Sequence, residues 1–288
     1  MKTQREQLIQ TWVTSVLNSD QFEINFLAGD ASFRRYARIS LNNKTFMLMD
    51  APPEQEDCRP FVSIDEFFDT HGVRVPHIVA KDLENGFLLL EDFGDVVLST
   101  LLDDKTVDAH YAQSFKQLVE LQSVDGTDHL PAYSYEKLIS EMELLTDWLF
   151  PSLKIQLTAD ESALIKRTFA ILANAAVAQP QVIVHRDFHS RNLMKLENET
   201  DLGVIDFQDA VIGADTYDLI SITRDAYVQW NAERVYTWFK MLYDVLPDAQ
   251  KQERDFAQFK QDADLMAIQR HLKILGIFVR LFERDGKS

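Results

Sequence analysis

His185-Arg186-Asp187-Phe188-His189-Ser190-Arg191-Asn192, followed by Val204-Ile205-Asp206-Phe207, is the stretch that decides how this chain reads. Asp187 and Asn192 stand five residues apart, and a second carboxylate, Asp206, follows 14 residues after the Asn at the end of an apolar run. Phosphoryl transfer from ATP needs this set: one carboxylate to orient and deprotonate a hydroxyl, and an amide plus a carboxylate to hold Mg²⁺. The segment follows Val182-Ile183-Val184, so the pattern predicts a loop at a strand end. Asp187 is the candidate base, Asn192 and Asp206 the candidate metal ligands, and His185 a brace for the loop. The competing reading is a polar turn whose Asp and Asn cap backbone groups. Asp206 weighs against it, because an acid at the exit of Leu202-Gly203-Val204-Ile205 is costly if buried alone and compensated if it meets a cation.

A zinc or dinuclear site built on His185-x-Asp187-x-His189 is the other chemistry to weigh. It would want further ligands at several strand ends, and His71, His77, His110, His129 and His271 sit in no comparable motif.

Upstream, the chain reads as strands: Phe22 to Leu27, Tyr36 to Leu41, Thr45 to Met49, His77 to Lys81 and Phe87 to Leu90, with Asn42-Asn43 a hairpin pair. A helix from Phe61 to Thr70 interrupts them. The turn Gly29-Asp30-Ala31-Ser32-Phe33-Arg34-Arg35-Tyr36 suits a triphosphate. Its N–H groups and Ser32 would donate, and Arg34 or Arg35 would act as a cationic clamp; a plain hairpin with exposed arginines is the alternative. Leu88-Leu89-Leu90-Glu91-Asp92-Phe93-Gly94 would offer backbone groups near Glu91 and Phe93 to an adenine ring.

After Gly94 helical periods dominate, at Val107 to Gln122, Tyr135 to Leu149 and Ala159 to Ala178, the last with a Thr158/Glu161 capping box. Val182–Val184 and Leu202–Ile205 are the strong strand candidates there, and Leu265, Ile268, Leu272, Leu275, Val279 and Phe282 recur as a buried helical seam. Asp209 is a candidate substrate contact, Asp215 a cap for a helix at Thr216, and Asp218 a brace for the catalytic loop. Trp148, Trp230 and Trp238 lie in helical patterns and read as core. The expectation is an α+β chain with a small β-rich N-lobe over residues 1–93, an ATP-binding sheet plus helices. A larger, mainly helical C-lobe over 94–288 would carry the catalytic loop, metal ligands and substrate pocket.

A formal charge of -17, from 46 acidic against 29 basic residues with no long basic run, disfavours nucleic acid and anionic membrane as partners. One cysteine, Cys58, excludes an internal disulfide and suits a cytoplasmic setting. Met1 to Asp20 carries an interrupted amphipathic stripe rather than a leader, and no apolar run approaches the ~18 residues of a membrane span. No dedicated dimer seam is legible, so the oligomeric state is left open.

These residues resemble the aminoglycoside phosphotransferase family, which shares the protein kinase-like bilobal fold, over about Phe26 to Tyr243. Within it the resemblance is closest to the kinases that act on N-acetylmuramate and N-acetylglucosamine in bacterial cell-wall recycling. It is carried by Asp30-Ala31-Ser32-Phe33-Arg34-Arg35-Tyr36, Met49-Asp50-Ala51-Pro52-Pro53, Cys58-Arg59-Pro60-Phe61-Val62 and Ile205-Asp206-Phe207-Gln208-Asp209-Ala210. The resemblance implies ATP and Mg²⁺ as cofactors and a small-molecule sugar as acceptor, phosphorylated at its anomeric hydroxyl. It assigns Asp187 as base, Asn192 and Asp206 as metal ligands, and a hinge near Glu91 to Gly94. An aminoglycoside, choline-like or other hydroxyl acceptor is the alternative, and a nucleotide-binding pseudokinase a third reading.

The chain departs from the wider fold in two places. Met49 stands near the position of the usual strand Lys, and Lys44 lies too early. Arg34 or Arg35 is the candidate replacement, with Glu56 or Glu66 as its partner. Gln208 replaces the Gly of the protein-kinase triplet, and the short run from Asp206 to Asp218 leaves little room for a mobile activation loop.

Overall fold

The computed structural model describes residues 3–27, 34–197 and 199–286. It divides into two compact units, Met1–Asp95 with Gly203–Gln208, and Val96–Leu202 with Asp209–Ser288. β8 (Leu202–Val204) spans the boundary between them in the chain.

The first unit is built on a five-stranded antiparallel sheet of order β1-β2-β3-β5-β4. Its strands are β1 (Glu23–Phe26), β2 (Arg35–Leu41), β3 (Lys44–Asp50), β4 (Ile78–Asp82) and β5 (Phe87–Glu91). The β2–β3 hairpin closes at Leu41↔Lys44, with Asn42 supplying the left-handed turn residue at φ 54. Cross-strand neighbours share a face. Ala37, Leu48 and Leu89 therefore line one side, where α1 (Gln4–Leu17) lays Ile9 and Val13 against them and against Ile39 and Phe87. Met49 pairs with Leu88 on the opposite face, and both are fully buried.

Asp50 ends β3 without solvent contact and is gripped by Arg5 of α1 at 2.6 Å and by Arg35 of β2. Gly86 is obligatory in the turn before β5. Its φ is +70, and a Cβ there would lie 1.9 Å from the Ala51 carbonyl oxygen. α2 (Arg59–Thr70) buries Phe61 and Phe68 against Phe207 of the returning segment, with ring centroids 4.9 and 5.8 Å apart. The Val204 N–H bonds the Arg74 carbonyl at 2.8 Å, which ties that segment into the same unit.

The second unit is mainly helical. It contains α3 (Val107–Gln122), α4 (Tyr135–Leu144), a π turn at Leu145–Leu149 running into the short α5 (Phe150–Ser152), and α6 (Ala159–Val177). After it come β6 (Gln181–Val184), β7 (Leu193–Lys195), β9 (Val211–Ala214), α7 (Tyr217–Thr223), α8 (Ala232–Val245), α9 (Asp248–Lys251) and α10 (Phe256–Asp285). β6 and β9 pair antiparallel from Gln181↔Ala214 to Val184↔Val211. α6 opens on the expected capping box, with Thr158 and Glu161 satisfying each other's N–H groups.

α10 packs on α4, the π turn, α6, α7 and α8. The helix crosses the end of α4 at Gly276, where a Cβ would sit 2.3 Å from the Leu144 carbonyl carbon. The predicted seam of this helix is not the buried face. Ile268 and Leu275 are each 47% exposed and Phe282 is 64% exposed, while Phe259, Ala263, Met266, Arg270 and Lys273 are buried. The helix turns a partly polar face inward because carboxylate and phenol partners await it there. No described helix is long and apolar enough to cross a membrane.

Candidate active site

β6 delivers the chain to His185 under the constraint of its pairing with β9, and the loop that follows is fixed through its backbone. Asp218, the second residue of α7 and fully buried, accepts the N–H of His185 at 2.7 Å and that of Arg186 at 3.1 Å. Burial pushes the Asp218 pKa up to about 7, with Asp187 adding to the rise, against the pull of these N–H groups and of Arg270. His185, also fully buried, accepts the Asp187 N–H on Nδ1 at 3.2 Å, which places its own proton on Nε2. It braces the loop, as the sequence suggested for this histidine.

The Asp187 carbonyl accepts the His189 N–H at 2.8 Å and the Asn192 side-chain amide at 3.1 Å. That bond turns the amide so that its oxygen, the end a hard cation prefers, points away from the carbonyl. The far side of the loop is held by Asp225, which takes the Ser190 hydroxyl at 2.7 Å, and by Tyr227, whose ring lies 3.7 Å from the Arg191 guanidinium. The Asp187 carboxylate accepts no hydrogen bond from a described residue, although its backbone is bonded on both sides. Arg186 carries this geometry at φ 75, a strained value for a residue with a Cβ.

Behind the loop lies a charge cluster that sequence patterns did not reveal. Glu141 of α4 receives Arg186 at 2.5 Å, Lys273 of α10 at 3.1 Å, and the Tyr133 hydroxyl. Lys273 also donates to the Tyr217 hydroxyl at 3.1 Å. Burial works against the charge on Lys273, but Tyr217 and Glu141 raise its pKa above the usual lysine value. Burial holds the Tyr133 phenol far above its ordinary range, reinforced by Tyr217 and Glu141. Asp209 is exposed, and its charge reaches Arg186. The same unit holds a cavity of about 580 Å³ lined in part by Arg224, Asp225, Tyr227, Trp230 and His271. Trp238 is core as expected, whereas Trp230 lines this cavity. Asp215 does not cap α7; its carboxylate is held by Arg254 at 2.5 Å.

Asp206 belongs to the segment that packs with the first unit. It is exposed, adopts φ 66, and accepts the Gln208 side-chain amide at 2.8 Å, while Phe207 beside it is buried. Ser32 and Phe33 lie outside the described residues. Arg34 pairs with Glu56 at 2.6 Å and is one of the charges felt by the Tyr36 phenol, whose pKa burial raises. Glu66 pairs instead with Lys81. Arg35 spends its guanidinium on Asp50. Glu91 binds Arg74 at 2.6 Å, and its N–H is taken by the His77 carbonyl at 2.8 Å. Phe93 stacks under Arg74 with 4.7 Å to the ring centroid. Any contribution of Glu91 to a bound base would therefore come from its carbonyl.

Residues 23–254 match the model of the phosphotransferase enzyme family. The chain is 42% identical over 266 residues to an N-acetylmuramate/N-acetylglucosamine kinase of Pseudomonas aeruginosa, covering 90% of this chain and 77% of the relative. It is 36% identical over 296 residues to the protein of the same name from Neisseria meningitidis, covering 99% and 86%. Among solved structures, an ethanolamine kinase of Plasmodium vivax superposes with a TM-score of 0.68 at 11% identity, covering 100% of this chain and 86% of that one. The ADP-bound aminoglycoside phosphotransferase APH(2'')-Ib superposes with a TM-score of 0.61 at 15% identity, covering 95% and 99%. The fold is thus the protein kinase-like fold of small-molecule kinases, as the sequence predicted.

Proposed function

The chain belongs to the phosphotransferase enzyme family, and from that membership we propose that it transfers the γ-phosphoryl group of ATP to the anomeric hydroxyl of N-acetylmuramate or N-acetylglucosamine. The sugar assignment is supported by the relatives at 36–42% identity that carry this activity in their names. The catalytic assignment is carried by one observation: Asp187 sits on a loop whose backbone is bonded at His185, Arg186 and Asp187 itself, while no described residue bonds its carboxylate. A base fixed in this way keeps its reach to an attacking hydroxyl without reorganising.

Asp187 takes the proton of the anomeric hydroxyl as the sugar oxygen bonds to the γ-phosphorus. The bond from that phosphorus to the ADP oxygen breaks, ADP leaves with the electron pair, and Asp187 returns its proton to solvent. Asn192 and Asp206 present an amide and a carboxylate oxygen, a donor set that fits Mg²⁺, and these are the residues that would hold it. When bound, the ion neutralises charge on the phosphate oxygens. Residues 1–93 take the nucleotide and residues 94–288 the acceptor. The Arg34–Glu56 pair stands in for the strand lysine and its glutamate in the wider fold. The need for ATP supports a cytoplasmic setting for the reaction.

The test is incubation with Mg·ATP and each sugar, with acid-labile sugar 1-phosphate as the product sought. Its formation is expected. ATP binding without product from either sugar would remove the assignment.

A further inference from the structure

Trp230 is only half-buried and borders the cavity of about 580 Å³ in the second unit. Its supports are rigid. Trp238, fully buried, meets its ring at 90° with 5.6 Å between centroids, and the Arg234 guanidinium lies 5.4 Å from its centroid. One carboxylate of α3 fixes both: Asp108 accepts the Trp238 indole N–H at 2.8 Å and Arg234 at 3.0 Å. A side chain ordered before a ligand arrives adds little ordering cost to binding.

The cavity is joined to the base loop. Asp225 accepts the Ser190 hydroxyl at 2.7 Å and the Tyr227 N–H at 2.9 Å. The Tyr227 ring meets the His189 ring at 5.4 Å and the Arg191 guanidinium at 3.7 Å. Three successive residues between Asp187 and Asn192 are thus held by two residues that line the cavity. A molecule in the cavity lies against the segment that holds the base loop.

The lining says what kind of molecule fits. Its volume is that of a small-molecule site. Trp230, Tyr227, Val228 and Val235 supply apolar surface. Its two charged side chains are answered within the fold, Arg224 by Asp264 at 2.8 Å and Asp225 by the donors above. Burial lowers the His271 pKa, and Arg270 and Arg224 lower it further, so its imidazole is neutral at pH 7. The site suits an uncharged ring with an apolar face and hydroxyl groups. A pyranose has both, since its axial C–H bonds form a face that meets the negative face of an indole.

We propose that this cavity holds the pyranose ring of the acceptor, with Trp230 as its stacking wall. Recognition then falls on the ring that N-acetylmuramate and N-acetylglucosamine share, and the O-lactyl carboxylate is not discriminated there. This rests on the sugar kinase reading above and adds the residues that bind its acceptor.

The experiment measures KM for both sugars and for ATP in the wild type, Trp230→Leu, Trp230→Phe and Ala232→Trp. Trp230→Leu is expected to raise KM for both sugars by the same factor, about two- to tenfold, while KM for ATP holds. Trp230→Phe keeps an aromatic face and is expected to lose less. Ala232 is exposed at the start of α8 and borders the cavity, so Ala232→Trp fills the space without removing a packed side chain. It is expected to raise KM for both sugars as well. Unchanged sugar KM values in Ala232→Trp would overturn the proposal even if Trp230→Leu failed to fold. A rise confined to one sugar, or a KM for ATP that rises in step, would overturn it too. A wild type that phosphorylates neither sugar would fail the sugar kinase reading, and this proposal with it. A wild type that phosphorylates them beside unaffected variants would fail this proposal alone.

Discussion

Glu141→Gln removes one charge and leaves two buried cations facing each other. Glu141 is 7% exposed and receives Arg186 at 2.5 Å and Lys273 at 3.1 Å. The amide keeps the volume but can no longer neutralise either partner, and one end of it becomes a donor facing donors. Removing one member of a buried ion pair costs about 3–5 kcal/mol, most of it the penalty of the charge left behind. For a domain of this size that corresponds to a fall in Tm of roughly 6–20 °C.

The double variant Glu141→Gln with Lys273→Met separates this account from simple damage. Deleting the second cation removes much of the repulsion, so the double variant is expected to recover about half of the loss rather than fall further. Urea unfolding followed by circular dichroism gives all four stabilities. A loss below about 1 kcal/mol in Glu141→Gln would refute the reasoning. So would a double variant whose loss equals the sum of the singles, because Glu141 and Lys273 would then not be coupled.

Asp187→Asn is expected to lower kcat by at least ~10²-fold while leaving ATP binding intact by calorimetry, and near-normal turnover would exclude Asp187 as base. Asp218→Asn sets a side-chain NH₂ against one of the two backbone N–H groups it now accepts, and is expected to lower kcat while KM for ATP holds; equal effects on both would place its role outside the loop. Asp65 of α2 is 1% exposed, its Oδ2 has no partner among the described residues, and burial pushes its pKa from 3.8 to about 8. The folded state therefore holds this proton more tightly than the unfolded state, and stability falls as pH rises between those two values. Asp65→Asn removes the dependence, so its Tm advantage over wild type is expected to widen from pH 5 to pH 8; parallel Tm curves would contradict the shift.

What the sequence carried was local. The helix Val107–Gln122 and the Thr158/Glu161 box are signals written within a few residues, and the structure has both. The strands β7 and β9, of three and four residues, are too short to show a period. The seam of α10 was misread because an apolar period cannot register Arg270 and Lys273 as inward residues. The Asp187–Asn192 loop was legible as a motif. Its support was only half so: Asp218 was suspected, whereas Glu141 and Lys273 approach from helices far along the chain and leave no spacing to find. Asp215 looked like a cap by position, and the arginine that claims it, Arg254, comes from 39 residues away.

The placement of the cations bears on what the acceptor is. In the first unit each arginine beside the sheet has its carboxylate: Arg5 and Arg35 on Asp50, Arg34 on Glu56, Arg38 on Asp92, and Arg74 on Glu91. These pairs join helix, strands and turns, and with Asp95 as a second partner of Arg38 they set five carboxylates against five arginines. In the second unit Glu141 likewise serves two cations, Arg186 and Lys273, while the charge of Asp209 reaches Arg186 and that of Arg270 reaches Asp218. A chain at -17 invites the expectation of a cationic acceptor. Exposed charges are screened over about 8 Å at physiological ionic strength, so the bulk charge says little about a buried site and the local sum decides. Behind the base loop Arg186, Lys273 and Arg270 face Glu141, Asp218, Asp187 and Asp209, so that sum carries no positive excess and by itself selects neither a carboxylate nor an ammonium.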